Sequence, residues 1–196
     1  MKILITGAGG LIGQELKDSL PFDVVALSHK ELEITDRAAV LEVVQKIGPD
    51  LILNCACIRK PVSEENSAHA FKVNVEGVQN LLATGIKLFH LSSHTALNPT
   101  NWYARTKRAS EALVDPKKHL ILRIPCIYTK RPIYTSDLCL RDISPLIVSL
   151  VHKTGIYNAW EPRVGFFKRI LIDRLEWMVK RLRGPSLRKI SEPHGR

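Results

Sequence analysis

The chain has 196 residues, 45% of them hydrophobic, and a formal charge of +10. That length supports one full core without disulfide or metal staples, and no apolar run is long enough to span a bilayer. The N-terminal MKILITGAGG runs straight into a glycine-rich turn, which is not the pattern of a secretory signal.

Short, β-rich apolar runs occur at Lys2–Gly7, Asp23–Ser28, Asp50–Ala56, Lys87–Ser93 and His119–Pro125. Helix-length segments separate them. LIGQELKDSL follows the first run. DRAAVLEVVQKIG opens on a capping Asp36 and closes on Gly48. SEENSAHAFKVNVEGVQNLLATG opens on Ser63, carries Phe71, Val75, Val78 and Leu82 at helical spacing, and closes on Gly85. NWYARTKRASEALV follows, starting near Asn101. Near-continuous Val/Ile/Leu strands alternating with helices predict an α/β chain with a Rossmann-like, doubly wound parallel sheet covered on both faces.

After Pro125 the texture changes. CIYTKRPIYTSDLCL is irregular, SPLIVSLVHKTG reads as a helix stopped by Gly155, and Ile156–Trp160 is a short strand. Residues 163–183 carry Phe167, Leu171, Leu175, Met178 and Leu182 on one helical face. The expected organisation is a nucleotide-binding domain over 1–128, a reduced C-terminal substrate-binding region over 129–183, and a flexible basic tail over 184–196.

Cys55, Cys57, Cys126 and Cys139 follow no zinc spacing, and at least three fall in apolar segments. They read as reduced, buried thiols of a cytoplasmic protein, with no metal site. From Glu161 onward ten Lys/Arg face four Asp/Glu, so the charge is concentrated late. A basic excess suits a polyanionic ligand. The aromatic residues are not interleaved with the basic ones, which argues against nucleic acid.

TGAGGLIG sets Gly7, Gly10 and Gly13 three apart, between a strand and a helix start. Such a turn lets a pyrophosphate approach backbone N–H groups at a helix N-terminus. At the end of the second strand stand Ser28, His29 and Lys30, with no carboxylate before Glu31. Cations there favour a ribose 2′-phosphate, hence NADP(H), with NAD(H) as the other cofactor open to the chain. Tyr103 and Lys107 are four apart and share a helix face, and Ser93 ends the fourth strand. An ammonium near the phenol would lower its pKa toward the working range.

The stretches TGAGGLIG, LEITDRAAVLEVVQKIGPDLILNCA, AFKVNVEGVQNLL, LSS, NWYARTK and LILRIPCIY occur in order across about residues 1–128. In them the chain resembles the extended short-chain dehydrogenase/reductase family, and within it the dTDP-4-dehydrorhamnose reductases. The resemblance implies an NADPH-dependent reductase acting on the keto group of a nucleotide-activated sugar. It implies catalysis by Ser93, Tyr103 and Lys107, with Tyr103 and Lys107 also touching the cofactor. It places Gly7, Gly10, Leu11, Ile12 and Gly13 at the pyrophosphate, and Ser28, His29 and Lys30 at the adenosine phosphate. Glu33 and Ile34 fall near adenine, and Cys55, Ala56 and Cys57 along the cofactor's middle. Ser93, His94 and Cys126 fall where the family meets substrate, and by charge Lys130 or Arg131 would meet a diphosphate.

Three departures stand out. Ser93-His94-Thr95 replaces the family's Thr-Asp-Tyr, the segment between Ser93 and Tyr103 is short, and the region after the fifth strand is reduced. Two further readings therefore stay open: a non-catalytic NAD(P)-binding regulatory protein, and a sugar-nucleotide epimerase or dehydratase. The helix over 163–183 leaves open a homodimer. Neither nucleic acid nor membrane is expected as a partner.

Overall fold

The computed structural model describes residues 1–128 and 138–159. They fall in one compact unit spanning Met1–Trp160, and a second unit begins at Glu161. The residues expected to form the long amphipathic helix, the basic tail, and Lys130 and Arg131 lie outside the described set.

The five apolar runs form β1 (Lys2–Thr6), β2 (Asp23–Leu27), β3 (Leu51–Asn54), β4 (Lys87–Ser93) and β5 (Leu120–Ile124). Two short strands, β6 (Ile127–Tyr128) and β7 (Leu138–Cys139), pair with each other, and β8 (Gly155–Asn158) joins the main sheet. That sheet is wholly parallel, in the order β2-β1-β3-β4-β5-β8. Alternate side chains explain the apolar texture. Leu4, Ile52, Leu88 and Ile121 are buried in one cluster with Val40, Val44, Val78 and Leu81 from the helices. Ile3, Ile5, Leu51, Leu53, Phe89 and Leu120, one position away, are equally inaccessible. Both faces are covered, as continuous hydrophobic strands require. Each large side chain so buried contributes roughly 1.5–3 kcal/mol.

The helices are α1 (Leu11–Ser19), α2 (Arg37–Ile47), α3 (Val62–Glu65), α4 (Ser67–Phe71), α5 (Gly77–Leu82), α6 (Trp102–Leu113) and α7 (Ile143–Leu150). Asp36 caps α2 by accepting from Ala39 N–H, and Gly48 ends it in the left-handed region. The single helix expected from Ser63 is broken. The side chain of Asn66, not Ser63, caps α4 by accepting from His69 N–H. Lys72–Glu76 form a wider π-type turn between α4 and α5. The helix expected to stop at Gly155 ends at Leu150, and Gly155 (φ 114°) instead opens β8. Among the described residues no helix is long and apolar enough to cross a membrane.

Candidate active site

The chain leaves β1 toward β2 on one side and reaches β3 on the other. The crevice beyond the ends of β1 and β3 is therefore the topological switch point, where open α/β sheets bind ligands. Gly7 follows β1 there with φ 72°. A Cβ on it would stand 2.6 Å from the backbone of Ala56, so only glycine lets the two loops approach. A Cβ on Gly13 would stand 2.5 Å from the Gly7 carbonyl oxygen, so that glycine seats α1 against the turn.

Two cavities open on this crevice. The first, about 600 Å³, is lined by Gly7, Gly9 and Gly10, by Ser28, His29, Lys30, Glu33 and Ile34, and by Cys55, Ala56 and Cys57. Most residues expected along a dinucleotide thus share one hollow. Leu11 and Ile12 instead line the second cavity, and Gly13 lines neither. Glu31 behaves differently from its place in the sequence. Its carboxylate turns back to accept from Ser28 N–H (2.8 Å) and Ser28 Oγ (2.7 Å). A carboxylate therefore stands at the end of β2 after all, but it does not line the cavity, where His29 and Lys30 do.

The second cavity, about 530 Å³, shares Cys55 and Cys57 with the first and is lined by Ser93, His94, Tyr103, Lys107 and Cys126. The serine, tyrosine and lysine of the sequence reading thus share one hollow with both expected substrate neighbours. Helix α6 carries Tyr103 and Lys107. Its start is fixed twice: Asn101 Oδ1 accepts from Ala104 N–H (3.0 Å), and the Glu64 carboxylate accepts from the N–H groups of Trp102 and Tyr103 (3.1 Å each). Desolvation works to raise the Glu64 pKa, but the hydrogen bonds from Tyr103 and Trp102 prevail and lower it. Glu64 lies far upstream, on α3, and no local pattern in the sequence points to it.

The lysine does not do what its spacing suggests. Lys107 is buried, and its Nζ donates to the Leu91 carbonyl of β4 at 2.8 Å. The Tyr103 phenol is pushed above its ordinary pKa, chiefly by burial and next by Cys57. A hydrogen bond with Ser93 and the Arg59 charge act the other way, and Lys107 is not among the influences. The expectation that Lys107 lowers the phenol's pKa is therefore not met, because its ammonium is turned to the sheet. Ser93 Oγ also accepts from Thr95 Oγ1 (3.0 Å), so a threonine outside the expected set orients the serine.

A buried polar chain supports the lysine. Asn54 Oδ1 accepts from Thr6 Oγ1 (2.8 Å), and Asn54 Nδ2 lies 3.3 Å from His90 Nδ1. His90 Nε2 lies 3.0 Å from Ser110 Oγ, which donates to the Lys107 carbonyl (2.9 Å). The only tautomer of a neutral ring that satisfies both neighbours has the proton on Nε2. Burial, aided by the Lys107 charge, holds the His90 pKa well below the ordinary histidine value. On the other side of α6, Asn74 in the π-type turn bonds the backbone of Ile58 and Thr106 Oγ1. Glu111, itself buried, makes a bidentate pair with the half-buried Arg123 of β5.

The cysteines depart from the sequence reading. Only Cys139 is buried. Cys55 and Cys57 are half-buried in the cavities, and Cys126 is exposed. The sequence placed them in core segments because β3 and β5 are apolar, but these thiols fall just past the strand ends.

Comparisons with known proteins agree with the fold. Residues 1–95 match the family described as RmlD substrate binding domain. A dTDP-4-keto-6-deoxy-D-glucose reductase of Streptomyces niveus is 34% identical over 150 residues, 64% of this chain and 52% of that protein. The chain thus spans about half the length of that relative. Methionine adenosyltransferase 2 subunit beta of Xenopus tropicalis is 26% identical over 223 residues, 96% of this chain and 65% of that protein. The fold is that of a Bacillus anthracis dTDP-4-dehydrorhamnose reductase solved in complex with NADP. There the TM-score is 0.72 at 22% identity, covering 87% of this chain and 81% of that one. Over residues 1–95 by family match, and over 150 residues of the Streptomyces reductase, this chain is similar to the dTDP-4-dehydrorhamnose reductases, and it shares their fold.

Proposed function

We propose that the chain binds NADP(H) and reduces the keto group of a nucleotide-activated sugar. The observation that carries the reading is the convergence of Ser93, Tyr103 and Lys107 on a cavity that adjoins the glycine-turn cavity and shares two residues with it. The cofactor fits the hollow of about 600 Å³ lined by Gly7, Gly9, Gly10, His29 and Lys30. Gly7, Gly9 and Gly10 would hold its pyrophosphate, His29 and Lys30 its adenosine phosphate, and Cys55, Ala56 and Cys57 its middle. When bound, it supplies the hydride.

The chain's own groups supply the proton and the positioning. Because burial holds its pKa up, the Tyr103 phenol stays protonated at neutral pH and serves as the acid that donates to the carbonyl oxygen as charge develops there. Ser93, oriented by Thr95, donates to the same oxygen. Lys107, held at Leu91, keeps two N–H donors for ribose hydroxyls. The reduced thiols suit a cytoplasmic setting. A homodimer through residues 163–183 belongs to the same reading, and light scattering across a concentration series tests it: a monomer throughout rejects it.

The test is turnover of NADPH with dTDP-linked 4-keto sugars. Tyr103→Phe should lose about 10²–10⁴-fold in kcat and keep its NADPH affinity. Lys107→Ala should lose both. Near-full turnover in Tyr103→Phe would assign the proton to another group.

One observation favours a second reading, a regulatory subunit that binds NADP(H) without turnover. The Xenopus subunit beta matches 96% of this chain, farther along it than the Streptomyces reductase does. NADPH binding without oxidation by any activated sugar would select it.

A further inference from the structure

The cavity holding Tyr103 has a one-sided charge. Among the described residues that line it are Arg59, Lys60 and Lys107, and no aspartate or glutamate. Lys107 is turned to the Leu91 carbonyl and buried. Arg59 and Lys60, in the loop between β3 and α3, are exposed. Neither has an ion pair or a side-chain hydrogen bond among the described residues. The contrast with Arg123 is plain, since its guanidinium is closed bidentately by Glu111. Glu64, the acid nearest in the chain, is committed to the N–H groups of Trp102 and Tyr103, and Lys60 acts on it electrostatically. Among the described residues, Arg59 is therefore the guanidinium on this lip with no carboxylate paired to it. Its charge reaches the Tyr103 phenol. The rest of the lining is largely apolar, with Leu11, Ile12, Leu91, Ile124 and Ile127.

A guanidinium offers five donors in a planar fork and no acceptor, which matches phosphate oxygens bidentately. We propose that Arg59, with Lys60 beside it, receives the diphosphate of the activated sugar and so holds the sugar's carbonyl at Ser93 and Tyr103. This deepens the reductase reading and rests on it for the sugar. It gives the shortened site its means of selecting activated over free sugars. The sequence reading had assigned a diphosphate to Lys130 or Arg131, which lie outside the described residues.

The experiment is calorimetric titration of the full chain, saturated with NADP⁺ so that the glycine-turn cavity is filled. The probes are dTDP, UDP and GDP, with thymidine as the uncharged control. Wild type should bind at least one diphosphate more tightly than thymidine. Arg59→Ala should weaken that binding about 10- to 100-fold, and Arg59→Lys should restore part of it, because the charge returns without the fork. NADP⁺ affinity should stay within about twofold in every variant, because Arg59 lines the Tyr103 cavity and not the glycine-turn cavity. Equal diphosphate binding by Arg59→Ala and wild type would overturn the proposal, as would a wild type that binds no diphosphate better than thymidine. The two readings fail separately. Keto-sugar reduction with an unchanged KM in Arg59→Ala removes this proposal and leaves the reductase. Arg59-dependent diphosphate binding without NADPH oxidation removes the reductase and leaves this site.

Discussion

At the scale of single residues, the phenol of Tyr103 and the ammonium of Lys107 are held differently from what their spacing suggests. Four positions on a helix bring two side chains to one face, but they do not set where each end points. Here the ammonium is drawn to the Leu91 carbonyl, and Ser93 and Arg59 are left to oppose the burial of the phenol. The pair was legible in the sequence. The orientation was not, because it depends on β4 passing beneath α6. The adenosine end shows the same limit. Glu31 is close in sequence to Ser28, and only the turn reveals that its carboxylate is consumed by Ser28 N–H and Oγ. Lys30 and Glu33 then line the cavity, together with His29. Lys30→Asp should shift the ratio of NADPH to NADH affinity toward NADH by about tenfold or more, the loss of one charge-assisted contact. Fluorescence titration at fixed salt reads it. An unchanged ratio would move the 2′-phosphate elsewhere.

At the scale of elements, strands were read more surely than helices. Lys87–Ser93 was legible residue for residue, from the apolar Leu88, Phe89 and Leu91 set between Gly85 and the polar residues that begin at Ser92. The break at Asn66 and the π-type turn at Lys72–Glu76 were not, since the apolar spacing continues through both. What α6 rests on was also hidden. The chain from Asn54 through His90 and Ser110 to the Lys107 backbone joins β3, β4 and α6, and each member is an ordinary polar residue in its own segment. This chain makes a pH prediction. His90 is held neutral, with its pKa well below that of an unfolded histidine. As pH falls below about 6.5 the unfolded chain takes up a proton that the folded chain refuses, so stability is full above that pH and is lost below it. The slope from this one group approaches about 1.4 kcal/mol per pH unit. His119, also lowered chiefly by burial, adds in the same direction. Glu31 and Glu64 are lowered carboxylates, so their loss comes only at more acid pH. Urea unfolding from pH 7.5 to 5, values chosen to bracket the unfolded histidine pKa of about 6.5, should show the fall. His90→Gln should flatten it. An identical slope in the variant would mean that His90 charges in the folded state.

At the scale of the whole molecule, the parallel order β2-β1-β3-β4-β5-β8 explains why residues far apart in sequence meet. The ends of β1, β3, β4 and β5 deliver Gly7, Cys55, Ser93 and Cys126 to one rim. That part of the site was legible through motif order. Arg59, Lys60 and Glu64 were not, because they belong to a loop and a short helix with no motif of their own. The central claim is that this rim moves a hydride to a sugar carbonyl while Tyr103 supplies the proton. Its most direct test uses NADPH carrying deuterium at its transferable position and a panel of nucleotide-linked keto sugars, with mass spectrometry of the sugar. The account predicts one deuterium on the reduced carbon with wild type, and on the order of 10²–10⁴-fold less product with Tyr103→Phe at equal NADPH occupancy. Wild-type chain that binds NADPH yet transfers no deuterium to any of these sugars would contradict it.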